Sequence, residues 1–401
     1  MTPSAWNQQG PKLVANDTAG DAGLGYAVAI SKDGHAAIVG GPTDNHQTGA
    51  AWAYIRNGNG VWTQQQSKLV GTGSGEGAGP RQGTAVALSG DGKTAIVGGP
   101  ADDNDKSGAV GAAWVYEFSD NAWSQQGDKL VGDAERGSGL GFAAALSHDG
   151  NIAIVGGPDD NDSTGAAWVF QRKFKNNREF LIWDLVCRLP CDAKEGSMLG
   201  FSVALSAYGN IALVGGVGGQ GDDDGVGAAW IFEGTNGVWK QQGKLAGTGA
   251  VGPSQQGCSV ALSASGNTAI VGGWQDNNGV GAAWVYERGT DNEGPWKQQG
   301  EKLVGSGAVG AAGQGTSVGL SEDSFSAIVG GPADNAGVGA AWIFSRPAPE
   351  QPWSQQQGKL VGSNAVGTSN QGCAVAMSNA GAIIGGWKDG SQAGATWHWK
   401  A

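Results

Sequence analysis

One set of markers recurs along the whole chain and constrains the fold more than any other feature. A glycine pair closing an apolar run stands at Gly40-Gly41, Gly98-Gly99, Gly156-Gly157, Gly215-Gly216, Gly272-Gly273, Gly330-Gly331 and Gly385-Gly386, seven copies about 55–60 residues apart. A second marker, Gly-Ala-Ala-Trp or Gly-Ala-Thr-Trp, places tryptophans at Trp52, Trp114, Trp168, Trp230, Trp284, Trp342 and Trp397. A third, Trp-x-Gln-Gln, begins at Trp6, Trp62, Trp123, Trp239, Trp296 and Trp353, and so occurs six times. Self-similarity at such a period signals a stack or ring of like supersecondary units.

Each unit reads as four short strands, exemplified by Gly200–Ser206, Ala269–Gly273, Gly281–Arg288 and Val238–Gly247. In the first and third, apolar residues alternate with small or polar ones at period two, and Gly, Asp, Asn or Ser bound each run. Asp33-Gly34, Asp91-Gly92 and Asp149-Gly150 lie between the first two strands and give a two-residue hairpin signal, because both positions tolerate positive φ. The 75 glycines among 401 residues argue against helices, since each glycine inside one costs ~1 kcal/mol relative to alanine. Four antiparallel strands repeated seven times suit radial stacking, in which each sheet buries both faces against its neighbours. The expectation is an all-β, single-domain, seven-bladed β-propeller over residues 1–401. The chain starts in the fourth strand type and ends in the third, so the segment Ala5 to Val14 is expected to pair with Ala395 to Lys400 and close the ring.

The pairing of Gly25-Tyr26, Gly141-Phe142 and Gly200-Phe201 at the head of the first strand with Gly41-Pro42, Gly99-Pro100, Gly157-Pro158 and Gly331-Pro332 after the second resembles the FG-GAP repeat. That repeat is the unit of the integrin α-chain propeller and of many bacterial secreted or surface proteins. The resemblance implies a secreted or cell-surface propeller that is adhesive or binds sugars, and calcium in Asp-rich loops. No copy here spells the D-x-D-x-D-G calcium loop of that family. Propellers carry many unrelated activities, so the resemblance speaks to fold more than to function.

The segment 171–198 breaks the pattern: it holds Cys187 and Cys191 and the apolar run Phe180–Trp183. Trp183 keeps the slot of the third marker, while Asp184–Cys191 replaces its outer strand. Three readings stay open here: a degenerate outer strand, an insertion presenting Phe180, Leu181 and Ile182 to a partner, and a loop closed by a Cys187–Cys191 disulfide. Cys258 and Cys373 share one repeat position two units apart, too distant for a disulfide, which needs Cα atoms within ~7 Å.

Fourteen of the 17 tryptophans fall on repeat positions and read as packing; Trp274, Trp387 and Trp399 are left over. Trp274 and Trp387 follow the glycine pair, where four units hold Pro, and so stand on loops at one face of the disc. Such rings stack on the apolar face of a sugar or cap the blade as Pro does; for a sugar, Gln275, Asp276, Asn277, Lys388 and Asp389 are placed to bond hydroxyls. The same loops are acidic. Asp102, Asp105, Asp159, Asp162, Asp222 and Asp224 are candidate Ca²⁺ ligands, carboxylate oxygens being hard donors, though Asp and Asn also favour turns on their own account. The Gln pairs, on the presumed outer strand, are expected either to be solvated at the blade edge or to bond between blades.

The net charge of -12 and a pI near 4.7 disfavour nucleic acid and anionic membranes, which are bound through clustered Lys and Arg. No apolar run approaches a membrane span, and the first residues lack the features of a secretory leader. The four histidines follow no metal-ligand spacing, and no G-x-S-x-G or H-E-x-x-H occurs. The reading is therefore a non-enzymatic, multivalent, carbohydrate-binding or adhesion propeller whose partners are glycans or cell-surface proteins. Its alternatives are a protein-interaction propeller without a small ligand and an enzyme with a site at the central channel.

Overall fold

Alternation within each repeat becomes four antiparallel strands running outward from a common axis. The computed structural model describes residues 5–74, 79–103, 109–134, 136–175, 180–218, 225–289, 294–349 and 351–401. In the first full blade the order is β2 (Ala27–Ile30), β3 (Ala36–Gly41), β4 (Ala50–Arg56) and β5 (Trp62–Gln64), and six further four-stranded sheets repeat it. The seventh borrows its outermost strand, β1 (Asn7–Gln8), which pairs antiparallel with Ala395–Lys400 in the register Asn7↔Lys400 and Gln8↔Trp399. The ring is thus closed by the two ends of the chain. Among the described residues no helix is long and apolar enough to cross a membrane.

The Asp-Gly pairs sit at the tip of a loop longer than a two-residue hairpin. Between β2 and β3 the loop covers residues 31–35, with Gly34 at φ 69°. Ser31 Oγ donates to Asp33 Oδ1 at 2.6 Å and accepts from the Ala36 N–H at 2.9 Å. A serine hydroxyl thus fixes the turn, and Ser89–Asp91 and Ser147–Asp149 repeat the bond.

The glycine pairs exist because blades touch backbone to backbone. A Cβ on Gly40 would lie 2.1 Å from the carbonyl oxygen of Gly83 in the next blade. Equivalent approaches join Gly98 to Gly141, Gly156 to Gly200 and Gly385 to Gly25.

Indoles fill the space farther out. The seven third-strand tryptophans are 0–2% exposed. Burying a side chain of that size contributes on the order of 5 kcal/mol before entropy is counted. Trp114, Trp168, Trp284, Trp342 and Trp397 each rest against the glycine of the preceding blade's Lys-Leu-x-Gly segment: a Cβ on Gly71 would lie 2.2 Å from Trp114 Cδ1. The indole Nε1–H donates to the residues that follow this position, to Thr72 O at 2.8 Å from Trp114 and to Asp17 Oδ1 at 2.7 Å from Trp52. The first glutamine of each Gln pair accepts from that segment too. Gln125 Oε1 bonds the Thr72 N–H at 2.8 Å, Gln298 bonds Thr248 at 2.7 Å, and Gln8 bonds Ser363 at 2.7 Å. Of the two roles open to these amides, edge solvation and inter-blade bonding, the first glutamine of the pair takes the second.

The atypical segment forms a complete outer strand. Phe180–Arg188 pairs with Ala166–Lys175 in the longest strand pair among the described residues, with one irregularity between Val169 and Phe170. Residues 176–179 lie outside the described residues; Leu181 and Ile182 are half-buried. Trp183 keeps its slot and donates to Gln126 Oε1 of the neighbouring blade at 2.8 Å. Leu189, 3% exposed, fills the place of the buried Leu69 and Leu130. Cys191 stands where other blades hold the close-packed glycine. Among the described residues no disulfide joins Cys187 to Cys191 or Cys258 to Cys373.

Candidate functional site

Because the second strand runs antiparallel to the first, the loop after each glycine pair and the head of each inner strand share one face of the disc. The loop is a left-handed turn. Asn45, His46 and Gln47 have φ of 47°, 56° and 71°, and Asn277 and Asn278 have 51° and 56°. Asn, Asp and Gly tolerate this conformation, which explains the acidic, amide-rich composition.

The aspartate that opens each turn points inward. Asp44, Asp102, Asp160, Asp276, Asp334 and Asp389 are 0–2% exposed. Each carboxylate meets a cation from the outer strand of its own blade: Lys68 at 2.6 Å, Lys129 at 2.6 Å, Arg188 at 2.5 Å, Lys302 at 2.6 Å, Lys359 at 2.5 Å, and Lys12. The second oxygen accepts a backbone N–H, from Val251 at 2.7 Å for Asp276 and from Val366 at 2.6 Å for Asp389. A buried charge persists only when paired and hydrogen-bonded, so these aspartates staple each loop to its outer strand.

Of the candidate sugar-contacting residues, Asp276 and Asp389 are buried and paired with Lys302 and Lys12. Asp102 is neutralised by Lys129. Asp159 and Asp162 are exposed beside the buried Asp160, and partial burial raises the Asp159 carboxyl above its ordinary value. Among the described residues no three His, Cys, Asp or Glu side chains converge as a metal site. Asp105, Asp222 and Asp224 lie outside the described residues.

The aromatic candidates do reach the surface. Trp274 is 37% exposed, next to Gln275 and Asn277. Trp387 is half-buried because Tyr26, from the head of β2, packs its edge on it at 6.2 Å and 66°. Lys388 Nζ lies 4.8 Å from the centre of the Trp387 ring. Tyr26 belongs to a ring of residues at the channel mouth that also holds Phe142 and Phe201, 4.9 Å apart, and Cys258 and Cys373. The two thiols donate to Gly315 O at 3.1 Å and Gly25 O at 3.3 Å, and burial pushes their pKa up to about 12 and about 11, so they are unreactive packing groups.

The opposite mouth holds a cluster absent from the sequence reading. Glu322 reaches Lys32 at 3.5 Å and His148 at 3.2 Å, joining three blades across the channel beside a cavity of ≈ 130 Å³. A backbone belt runs beneath it: the N–H groups of Lys32, Gly90, His148, Ala207 and Ala264 each donate to the equivalent carbonyl of the next blade at 2.9–3.1 Å. No local motif announces Lys32, His148 and Glu322, because ring closure alone brings them together.

Residues 6–55, from the outer strand of the closing blade through β4, match the FG-GAP repeat. Fold and match together fit an FG-GAP propeller of the integrin α-chain kind. No curated protein matches the sequence. An FG-GAP propeller is a fold of the protein-interaction or adhesion type. The matched stretch straddles two blades of the ring, so the matched sequence unit is offset from the unit that packs.

Proposed function

We propose that this propeller is a multivalent carbohydrate-binding protein, lectin-like or adhesive, that takes glycans at the loops carrying Trp274 and Trp387. The observation that carries the reading is the exposure of Trp274 (37%) on a chain whose third-strand indoles are all buried. An exposed indole stacks on the apolar face of a pyranose, and Gln275, Asn277 and Lys388 lie beside the two rings to bond hydroxyls. Several sites on one rigid disc would give avidity beyond single-site affinity. A secreted or cell-surface setting goes with this reading. Among the described residues calcium belongs to it at Asp159 and Asp162, since Asp102 is paired with Lys129; Asp105, Asp222 and Asp224 stay with the reading as candidate ligands outside the described residues. The test is a glycan array with and without calcium, repeated on Trp274→Ala plus Trp387→Ala. Binding by the parent and its loss in the double variant support the reading; no glycan bound by the parent overturns it. A melting temperature unmoved by chelator removes calcium from it.

One observation favours a protein partner instead. Val251, Val309 and Val366 are 51%, 53% and 57% exposed at equivalent points of successive blades beside the same loops. A repeated apolar rim of this kind suits a protein surface better than a sugar.

A further inference from the structure

The face of the disc opposite the tryptophan loops carries a set of inter-blade ion pairs, and one blade boundary breaks it. Each third strand ends on that face. At three boundaries the cation closing a third strand reaches a glutamate of the preceding blade: Arg172 to Glu117 at 4.0 Å, Arg288 to Glu233 at 3.3 Å, and Arg346 to Glu287. The glutamates share one register, opposite Thr94, Ile211 and Thr268 of their own second strands. Arg56 closes the third strand of the first blade in the same way, one residue after the pair Ala36↔Ile55. In the blade before it, the last of the ring, the matching residue is Trp399, opposite Ala382. Arg56 therefore meets no carboxylate. Among the described residues it makes no ion pair, and its one side-chain hydrogen bond runs from Nε to Gly60 O at 3.4 Å.

Arg56 lines a cavity of ≈ 450 Å³ between the outer strand of the last blade, at Gln9 and Pro11, and the outer hairpin of the first, at Asn59, Val61 and Trp62. It is the only charged residue in that lining, on a chain of net charge -12. The neighbouring boundary differs, because the cavity that Lys400 lines also holds Asp323. Arg56 and Trp62 stand opposite one another on paired strands, so guanidinium and indole share a face of the sheet. In the equivalent pairs the guanidinium lies over the indole, 5.9 Å from the ring centre for Arg172 on Trp183 and 4.9 Å for Arg346 on Trp353. Arg56 instead stands by the turn at 57–60, where a Cβ on Gly60 would lie 3.3 Å from its Nη2.

This boundary also lacks a second inter-blade acceptor. Trp183 and Trp353 donate Nε1–H to Gln126 and Gln299 of the preceding blade at 2.8 Å. The matching Gln9 turns its amide to Asn7 O at 3.0 Å, and Trp62, 8% exposed, keeps an Nε1–H with no acceptor among the described residues. Trp123 lacks one too, but its cross-strand partner is Phe118 in place of the arginine.

We propose that this cleft binds a carboxylate-bearing ligand with the reach of a glutamate side chain, its carboxylate meeting Arg56 as Glu117, Glu233 and Glu287 meet the other arginines. The planar fork of Nη donors receives the carboxylate in bidentate fashion. Val61 and Trp62 cover the methylenes, and Gln9 and Asn59 offer amides to the ligand's remaining polar atoms. The site lies on the face away from Trp274 and Trp387 and is independent of the carbohydrate reading.

The test titrates the full chain by calorimetry with Nα-acetyl-glutamate α-amide, its neutral isostere Nα-acetyl-glutamine α-amide, and glutarate. The glutamate derivative is expected to bind about tenfold or more tighter than the glutamine one, with the difference shrinking at about 0.5 M salt. Arg56→Gln should erase the difference. Gly58→Leu, at a lining position where a Cβ meets nothing within 4 Å, should fill the cleft and weaken binding while melting like the parent. Arg172→Gln, at an arginine that already has its glutamate, should leave binding unchanged. Glutarate binding at least as tightly as the glutamate derivative supports the site as one for a free organic acid, and weaker binding supports it as one for an acidic residue of a peptide. Equal binding of the two isosteres, binding of neither, or a preference that survives Arg56→Gln overturns the proposal, and none of these results bears on glycans at the other face.

Discussion

Lys302 and Asp276 meet at 2.6 Å with the carboxylate 1% exposed and the ammonium donating also to Gly249 O at 2.7 Å. The pair belongs to a set that recurs in six blades among the described residues, with arginine replacing lysine only at Arg188. Breaking such a pair leaves an uncompensated charge in the interior, and that loss outweighs what the pair itself contributes. Lys302→Met is therefore expected to destabilise the protein by about 3–5 kcal/mol. The double change with Asp276→Asn should recover part of the loss, and Lys302→Arg should be mild because Arg188 fills the same role. Urea unfolding of the three variants checks the order, which fails if the double variant is the least stable.

Glycine at the end of Lys-Leu-x-Gly is a packing requirement. A Cβ on Gly71 would fall 2.2 Å from Trp114 Cδ1, a fully buried ring that cannot retreat. Gly71→Ala should cost about 1–3 kcal/mol or more, whereas Gly243→Ala, with nothing within 4 Å, should be near neutral. Thermal melts of the two variants decide it. Two blades already carry a side chain at this position, Ala15 and Cys191. At the second the next tryptophan bonds its acceptor at 3.2 Å, compared with 2.6 Å for Trp168 on Asp133. Cys191→Gly is thus expected to stabilise.

Those close approaches explain why the fold was legible in the sequence. Where backbones touch, only glycine fits, and where an indole fills every blade gap, tryptophan must recur at one spacing; both leave marks that period counting recovers. The binding face was legible only in part. Trp274 and Trp387 stood out because they break a proline pattern, but Asp276 and Asp389 look the same in sequence whether they face water or the interior. A signal was present: Lys12, Lys68, Lys129, Lys302 and Lys359 share one register before a leucine, and a basic residue repeated in register asks for a buried acid. Tyr26 beside Trp387, and Lys32 and His148 beside Glu322, left no comparable trace, because ring closure joins residues that no local spacing relates.

Closure itself is testable through Lys12. It is the counter-ion of Asp389, and Leu13 bonds Thr396 through both backbone groups at 2.8 and 3.1 Å. Lys12→Met should destabilise as Lys302→Met does. It should in addition speed hydrogen exchange in Ala395–Lys400 first, since the first and last blades are held together there by a two-residue strand. Uniform loss of protection across all blades would contradict this.

Acid sensitivity should originate at His398. It occupies the position held by Val115, Val169, Ile231, Val285 and Ile343 in other blades, is 1% exposed, packs edge-on against Trp62 at 5.1 Å, and has no hydrogen-bond partner for either ring nitrogen among the described residues. Burial, followed by the positive charges of Arg56 and Lys400, lowers its pKa from 6.5 to about 4. Between those values the unfolded chain binds a proton that the folded one refuses, so stability rises with pH. The contribution is intact above about pH 6.5, declines as pH falls, and is fully lost below about pH 4, an effect of up to about 3 kcal/mol. Asp17, Asp33 and Asp149 have pKa values lowered below 3.8, so the stability they contribute is lost only as pH falls below this window, and the raised carboxyl of Asp159 acts in the opposite direction to the histidine. His398→Ile restores the side-chain type of the other blades. Chemical denaturation at pH 7, 6, 5 and 4.5 should show the parent losing stability across the series and the variant holding nearly level; equal slopes would place the acid sensitivity elsewhere.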